Sequence, residues 1–423
     1  MKAFEIKELL NTTALDDNIQ RLICKEDVCQ EKKRYQQLLD KAYDMFGDLD
    51  YHIFSAPGRT EVGGNHTDHQ QGRVLAAPVN MDMVAVCAKC EDVIEVISEG
   101  FTIKPIYLND LEYKEEEKFT SEAIIRGIVA RFKMLNYNVG GFKAYCNSSV
   151  LKGSGISSSA AFEVLIGTIL SHLYNENRVD SVEIAKIGQW SENNYFKKPC
   201  GLLDQMACSV GGFITIDFKD KEKPVVEKVN FDFKQSGLAL CLVDTKGDHA
   251  DLSDEYGLMP KEMKEVAALF GKEVMSEVTM KEFLNHLSMI KGKVSDRAIL
   301  RAYHFLNETE RVVKQVAALN ANDIETFKKL IIESGKSSYM YLQNVYSTHD
   351  VTHQNLSVAL AIAEEILKDD GAYRVHGGGL AGTIQAFVPQ EKLQVFIKAM
   401  DSLFGEGSTF VLSVRSVGGY QLL

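Results

Sequence analysis

The stretch Pro57-Gly58-Arg59-Thr60-Glu61-Val62-Gly63-Gly64-Asn65-His66-Thr67-Asp68 constrains this chain more than any other. It follows a short apolar segment, Tyr51-His52-Ile53-Phe54, whose pattern predicts a strand. An arginine, an asparagine, a histidine and an aspartate then stand close together among glycines. Such a segment reads as a turn that aims several donors and acceptors at one place. A small polyhydroxylated ligand requires that kind of arrangement.

The bulk properties bound what surrounds this segment. A chain of 423 residues exceeds one ordinary core and suits two domains. With 45% apolar and 25% charged residues the composition is globular. A formal net charge of -12 argues against nucleic acid or an anionic membrane as the main partner. Any positive field for an anionic ligand must therefore be local. The eight cysteines form no framework, and Cys87 and Cys90 lack the second pair of a zinc site, which fits a reducing compartment. No apolar run reaches transmembrane length, and Met1-Lys2-Ala3-Phe4-Glu5 lacks the apolar core of a signal peptide, so a cytoplasmic location is expected. The oligomeric state is left open, with a monomer as the default.

Along the chain, residues 1–48 read as a polar helical extension expected to pack on the first lobe. Strand patterns follow at 51–55, 83–90 and 93–97, helical periodicity at 120–135, and a strand at 142–146. A long helix is expected over 160–173 and another over 181–195. A charged stretch at 218–228 marks a soft boundary, so domains are placed at 49–225 and 226–423. The second half has a buried strand at 238–243, helices over 260–368, and strands at 383–388 and 410–414. Helices and strands interleave without a regular βαβ rhythm, which makes α+β the expected class.

Between a strand and the long helix lies Lys152-Gly153-Ser154-Gly155-Ile156-Ser157-Ser158-Ser159-Ala160-Ala161. Its glycines let backbone approach a ligand closely. Its serines stand where unpaired N–H groups and the positive end of a helix attract an anion. The spacing is neither that of a Walker loop nor that of a dinucleotide fingerprint. A plain N-capped helix is the competing reading.

Two carboxylates follow. Glu192 falls on the helix after this loop, and Asp204 lies in Cys200-Gly201-Leu202-Leu203-Asp204-Gln205, among apolar neighbours. An enclosed carboxylate needs a partner, a metal or a proton; a structural cap near Met206 stands as an equal alternative. The run Gly377-Gly378-Gly379-Leu380-Ala381-Gly382 costs chain entropy and suggests close approach to a ligand or to other backbone. His349 and His353 are read as solvated or packed, although their spacing would let them share a helix face. His66 and His69 are read as part of a ligand-bonding loop rather than a metal site.

Taken in order, these motifs resemble the galactokinases of the GHMP small-molecule kinase superfamily. Residues 57–68 resemble the signature P-G-R-V-N-L-I-G-E-H-T-D-Y, residues 153–160 the loop G-x-G-L-S-S-S-A, and residues 377–382 the motif G-G-G-F-G-G. Cys200–Gln205 resembles C-G-I-M-D-Q. The resemblance implies a two-lobed fold, an N-terminal nucleotide-binding lobe and a C-terminal ferredoxin-like lobe. It implies a sugar 1-kinase that uses ATP and Mg²⁺ to convert galactose into galactose 1-phosphate. Asp204 and Arg59 would be catalytic; Gly153, Ser154, Gly155, Ile156, Ser157, Ser158 and Ser159 would bind the nucleotide. Ser159 and Glu192 would hold Mg²⁺, and Asn65, His66, Thr67, Asp68 and Tyr256 would bind the sugar. Gly377, Gly378 and Gly379 would close the cleft.

The chain departs from the pattern at Asn65, where the family has glutamate, and at His69, Leu151, Leu380 and Ala381. Loss of the glutamate leaves room for a C6-modified sugar such as galacturonate. A non-catalytic sugar and ATP sensor is the remaining alternative. Whether Asp204 acts as a general base or only orients the hydroxyl is open at this level.

Overall fold

The structure, a computed structural model, describes residues 1–150, 155–220, 223–247 and 252–423. The larger of its two sheets runs in the order Tyr420–Gln421, Tyr51–Gly63, Arg73–Cys90, Gly141–Ser148, Val93–Ser98, Phe101–Thr102. Ile106–Tyr107, Ile214–Asp217 and Val225–Lys228 pair beside this path. Val93–Ser98 and Gly141–Ser148 are parallel, and helix Ser121–Met134 lies in the long connection that parallel pairing demands.

Alternation along the central strands divides their side chains between two cores. Phe54, Ala85 and Cys87 face helices Ser121–Met134, Ser158–Asn175 and Ser181–Ser191, meeting Ile125, Ile128, Leu165 and Ile169. Their neighbours Ile53, Val84 and Val86 face the other way. There they meet Ile6, Ile19, Tyr35 and Leu39 of helices Ala3–Leu10, Asp16–Ile23 and Cys29–Phe46. A sheet apolar on both faces must be covered on both, and the first three helices supply the second cover. Arg34 ties them down, donating to Asp82 at 2.7 Å. Buried Arg415 lies 3.6 Å from the same carboxylate.

In the smaller sheet the order is Ala372–Val375, Thr383–Pro389, Leu238–Asp244, Thr409–Leu412, antiparallel throughout. In chain order this is second, third, first, fourth. Helix Asn355–Leu367 precedes the second strand and helix Leu393–Phe404 the fourth. That is the ferredoxin-like split βαβ arrangement. Both helices pack on one face through Leu356, Ala359, Phe396 and Met400 against Cys241, Val243, Ile384 and Ala386. The fold is therefore α+β with two lobes, as expected. Among the described residues no helix is long and apolar enough to cross a membrane.

Two local expectations change. Residues 57–63 form no turn; they continue one strand, Tyr51–Gly63. Its register shifts between Pro57 and Arg59 and again between Glu61 and Gly63. Bulges of this kind let proline and glycine sit in a sheet and re-aim side chains. The helix expected over 181–195 ends at Ser191 and continues as a single π turn, Glu192–Phe196. His349 and His353, read as solvated or packed, are both exposed in the segment before helix Asn355–Leu367, where His353 bonds Asp350 at 2.6 Å.

If the first three helices are true core, Leu39→Ala, at 0% exposure, costs about 2–5 kcal/mol. Thermal or urea unfolding of the whole chain measures this. A loss below about 0.5 kcal/mol, typical of a surface position, contradicts it.

Candidate active site

Arg59 and Asp204, 145 positions apart, meet as a two-pronged ion pair. Arg59 Nε donates to Asp204 Oδ1 at 2.7 Å and Nη2 donates to Oδ2 at 2.9 Å. The strand Tyr51–Gly63 presents the arginine, and the first turn of helix Leu203–Val210 presents the aspartate. Planar forks of this kind fix both groups in direction as well as distance. Arg59 also donates to the carbonyl of Gly155 through Nη1, and its backbone N–H donates to Ile156 O at 3.0 Å. Ser157 adds a hydroxyl that donates to Asp204 Oδ2. The end of the serine-rich loop is thus bound directly to the ion pair.

Local backbone explains how the loop comes so close. A β-carbon on Gly58 would lie 2.7 Å from Ile156 O, so only glycine admits the loop over this strand. Ser157 has φ of +59°, a left-handed conformation costly for serine, at the N-cap of helix Ser158–Asn175. That geometry turns its hydroxyl toward Asp204. Ser158 and Ser159 then occupy the first turn. Gly153 and Ser154 lie outside the described residues.

Burial raises the Asp204 carboxyl, but the Arg59 charge and the hydrogen bonds from Arg59 and Ser157 outweigh it and hold the group below the usual range. Asp204 is therefore an ionised, weakly basic acceptor. Asp68 has the opposite fate: burial pushes its carboxyl up, helped by the Asp204 charge and resisted by His66. Its Oδ2 stands where a β-carbon on Gly201 would come within 2.4 Å, so Asp68 packs against the segment that leads to Asp204.

Behind Asp204, Gln205 Nε2 donates to Glu163 Oε2 at 2.9 Å and to Glu192 Oε2 at 2.8 Å. Glu163 Oε1 is buried without a partner, and burial together with the Glu192 charge lifts the Glu163 carboxyl well above its usual range. Glu192, buried at the start of the π turn, has the exposed Lys198 at 3.7 Å from its other oxygen and the Cys200 thiol within hydrogen-bonding reach. Among the described residues no cluster of three His, Cys, Asp or Glu could hold a metal alone. The Glu192 carboxylate and the Ser159 hydroxyl are oxygen donors of the kind taken by a cation that keeps several waters and uses phosphate oxygens, as Mg²⁺ does.

The residues expected to bind sugar divide into two groups. His66, with φ of +56°, donates from Nε2 to Gly378 O at 3.0 Å, and Tyr256 donates to Gly379 O at 2.6 Å. These contacts bring the triple-glycine segment onto the rim of the site. A β-carbon on Gly379 would lie 1.9 Å from Asn344 O, which explains the glycine. Asn65 and Thr67 instead point inward. Thr67 is wholly buried and its hydroxyl serves Gly64 O and Arg73 O. Asn65 is wholly buried too: Nδ2 donates to Glu61 at 3.1 Å and Gly377 O at 2.8 Å, while Oδ1 accepts from Ser338 and Asn344. Every hydrogen-bonding position of the Asn65 amide is taken by the protein itself.

Several residues that complete the site carried no signal in the sequence. Glu308, on helix Asp296–Asn320, accepts from the N–H groups of Gly64 (3.1 Å) and Asn65 (3.4 Å), from Ser334, and from Arg311. One helical turn earlier, His304 donates from Nε2 to Asn65 O at 2.9 Å and accepts from Ser337 at Nδ1. Burial lowers its pKa to about 4, so it is neutral. His376, also neutral because burial lowers its pKa far below normal, donates from Nδ1 to Thr383. Its Nε2 meets Thr60 and the N–H of Glu61. Arg374, wholly buried, donates to Val62 O at 2.8 Å and to Glu61 at 2.9 Å. Burial carries the Glu61 carboxyl above its ordinary value against the pull of Arg374.

With this geometry in view, two family models match the chain. Residues 123–212 match the GHMP kinases N terminal domain, and residues 43–89 match the galactokinase galactose-binding signature. The chain carries a GHMP kinase N-terminal domain and the galactokinase signature. The resemblance read from the motifs therefore holds. The Lactococcus lactis galactokinase structure, complexed with galactose, is 22% identical with a TM-score of 0.78, covering 92% of this chain and 99% of that one. Methanococcus jannaschii mevalonate kinase gives 16% and 0.61, over 86% and 98%. Homoserine kinase from Cytophaga hutchinsonii gives 15% and 0.54, over 88% and 97%. Kinases named for such different acceptors share the fold, so the fold alone does not choose the acceptor.

The Glu308 cluster generates a pH test. Burial raises this carboxyl, but Arg311, His304 and Arg374 bring it from 4.5 down to about 2. A depressed folded pKa contributes stability that is present above the unfolded value and lost as pH falls through the folded one. Here the loss runs from about pH 4.5 to about pH 2, on the order of 3 kcal/mol. Glu308→Gln should show a shallower fall in Tm across that window than the wild type. Parallel curves would contradict this account of the loop.

Proposed function

We propose that this chain transfers the γ-phosphoryl group of ATP to the C1 hydroxyl of galactose, giving galactose 1-phosphate and ADP. The observation that carries the reading is the Arg59–Asp204 ion pair joined to the end of the serine-rich loop at Gly155 and Ser157. It sets an ionised acceptor and a fixed cation beside a helix N-terminus suited to phosphate. The matched galactokinase signature supports the choice of galactose.

In this mechanism Asp204 accepts a hydrogen bond from the sugar C1 hydroxyl and turns its oxygen toward phosphorus. Its lowered pKa makes it a weak base, so orientation comes first and the proton moves late, as the new P–O bond forms and the bond to the β-phosphate oxygen breaks. Phosphoryl transfer depends on positioning and charge stabilisation rather than on strong bases. Arg59 stabilises the charge on the transferring group while keeping Asp204 in place. Ser159 and Glu192 would hold Mg²⁺, which neutralises phosphate charge when bound. His66, Asp68 and Tyr256 would form the rim against which the sugar sits, with Gly377–Gly379 backing it.

Sugar-dependent ADP release with Mg²⁺-ATP, combined with identification of the phosphorylated carbon by NMR, tests the reading. Galactose 1-phosphate is expected. Asp204→Ala and Arg59→Ala should each lower kcat by at least about 10²-fold in the folded fraction, with Tm also lowered because each change leaves the other member of a buried ion pair unmatched. Phosphate on another carbon, or near wild-type kcat in either variant, contradicts the assignment.

A further inference from the structure

Glu61 stands two residues beyond Arg59 in the strand Tyr51–Gly63, and side chains two apart in a strand face the same way. Its carboxylate is held from behind. Oε1 accepts from Arg374 Nη2 at 2.9 Å and from Asn65 Nδ2 at 3.1 Å. Arg374 is wholly buried and also donates through Nη1 to Val62 O and through Nε to Val375 O, so three bonds hold the clamp in place. Oε2 accepts from no described protein group and is not among the buried oxygens left without a partner; the side chain as a whole is 12% exposed. His66 and Arg59 lie close enough for their charges to act on it. An acceptor fixed by a buried cation, with one oxygen left open beside the catalytic arginine, is built to receive something.

The signature pattern sharpens this. Where that pattern has asparagine this chain has Glu61, and where it has glutamate this chain has Asn65. The two side chains that changed places are hydrogen-bonded to each other. The carboxylate has moved to the strand, and the amide has become an internal tie.

We propose that Glu61 is a specificity-determining residue: its Oε2 accepts a hydroxyl from the edge of the sugar remote from Asp204, and its charge excludes a sugar bearing a carboxylate there. Residues 59 and 61 are about 6.6 Å apart along the strand, comparable to the breadth of a hexose. With C1 at Asp204, the C4–C6 edge falls to Glu61. The inference rests on the sugar-kinase reading above. It turns the Asn65 departure around, because loss of glutamate at 65 does not remove negative charge from the site.

The test compares kcat/KM of wild type, Glu61→Gln and the exchange variant Glu61→Asn/Asn65→Glu on galactose, 4-deoxygalactose, 6-deoxygalactose and galacturonate. Wild type should prefer galactose over at least one of the two deoxy sugars by about 10- to 100-fold, and over galacturonate by more. Glu61→Gln should narrow the galactose-to-galacturonate ratio at least tenfold, and the exchange variant should recover preference lost in the single change. Equal ratios in wild type and Glu61→Gln overturn the proposal. So does a wild type that uses galacturonate as well as galactose, a result that needs no variant to fold. Absence of turnover with every sugar would contradict the kinase reading instead. The same ratios are then read from calorimetric sugar-binding constants, where equality between wild type and Glu61→Gln still overturns the role of Glu61.

Discussion

The ion pair between Arg59 and Asp204 is the interaction on which the rest of the site depends. It closes a distance of 145 residues in sequence and joins the edge of one bulged strand to the start of a short helix. It also sets the chemistry. An aspartate alone in a buried cleft would take up a proton; with the guanidinium fork against it, Asp204 stays ionised at the cost of basicity. The loop that would cradle phosphate is fastened to the same two residues through Gly155 and Ser157. Asp204, Arg59 and the end of the serine-rich loop are therefore one mechanical unit, and displacement of any member disturbs the others.

A second polar layer holds that unit between the lobes. Arg374 and His376, on and just beyond a strand of the smaller sheet, reach Glu61, Val62 and Thr60 in the larger one. Glu308 and His304, one turn apart on the long helix, grip the backbone of Gly64 and Asn65. Buried charges are expensive unless matched, and here each has a partner: Glu308 has Arg311, and Arg374 has Glu61. The glycines at 58 and 379 make these approaches possible, since a β-carbon at either would strike a carbonyl oxygen.

What could be read without coordinates was the local and the periodic. The helix expected over 160–173 forms as Ser158–Asn175, and the strand at 238–243 forms as Leu238–Asp244, because apolar periodicity reports burial directly. The ordered motifs brought Arg59, Asp204 and the serine loop together on paper, and the chain folds them together. Inward and outward were harder. Asn65 and Thr67 belong to a motif rich in polar groups, yet both are spent inside the protein, a fact that depends on Ser338, Asn344 and Arg73. Glu308, Arg374 and His304 left no mark, since a single acidic or basic residue in a helix or strand reads as solvated until its tertiary partner is known. The bulged strand at 57–63 read as a turn because proline and glycine signal both, and only pairing with Arg73–Cys90 separates the two.

If the proposed function holds, Arg59 and Asp204 act as one unit on the transferring phosphoryl group. A double-mutant cycle in kcat, with Arg59→Ala, Asp204→Ala and the double variant assayed under saturating Mg²⁺-ATP and sugar, tests it most directly. Coupled residues give losses that do not add. The double variant is expected to lose little more than the worse of the two single variants. Losses that simply multiply would show two independent groups and contradict it.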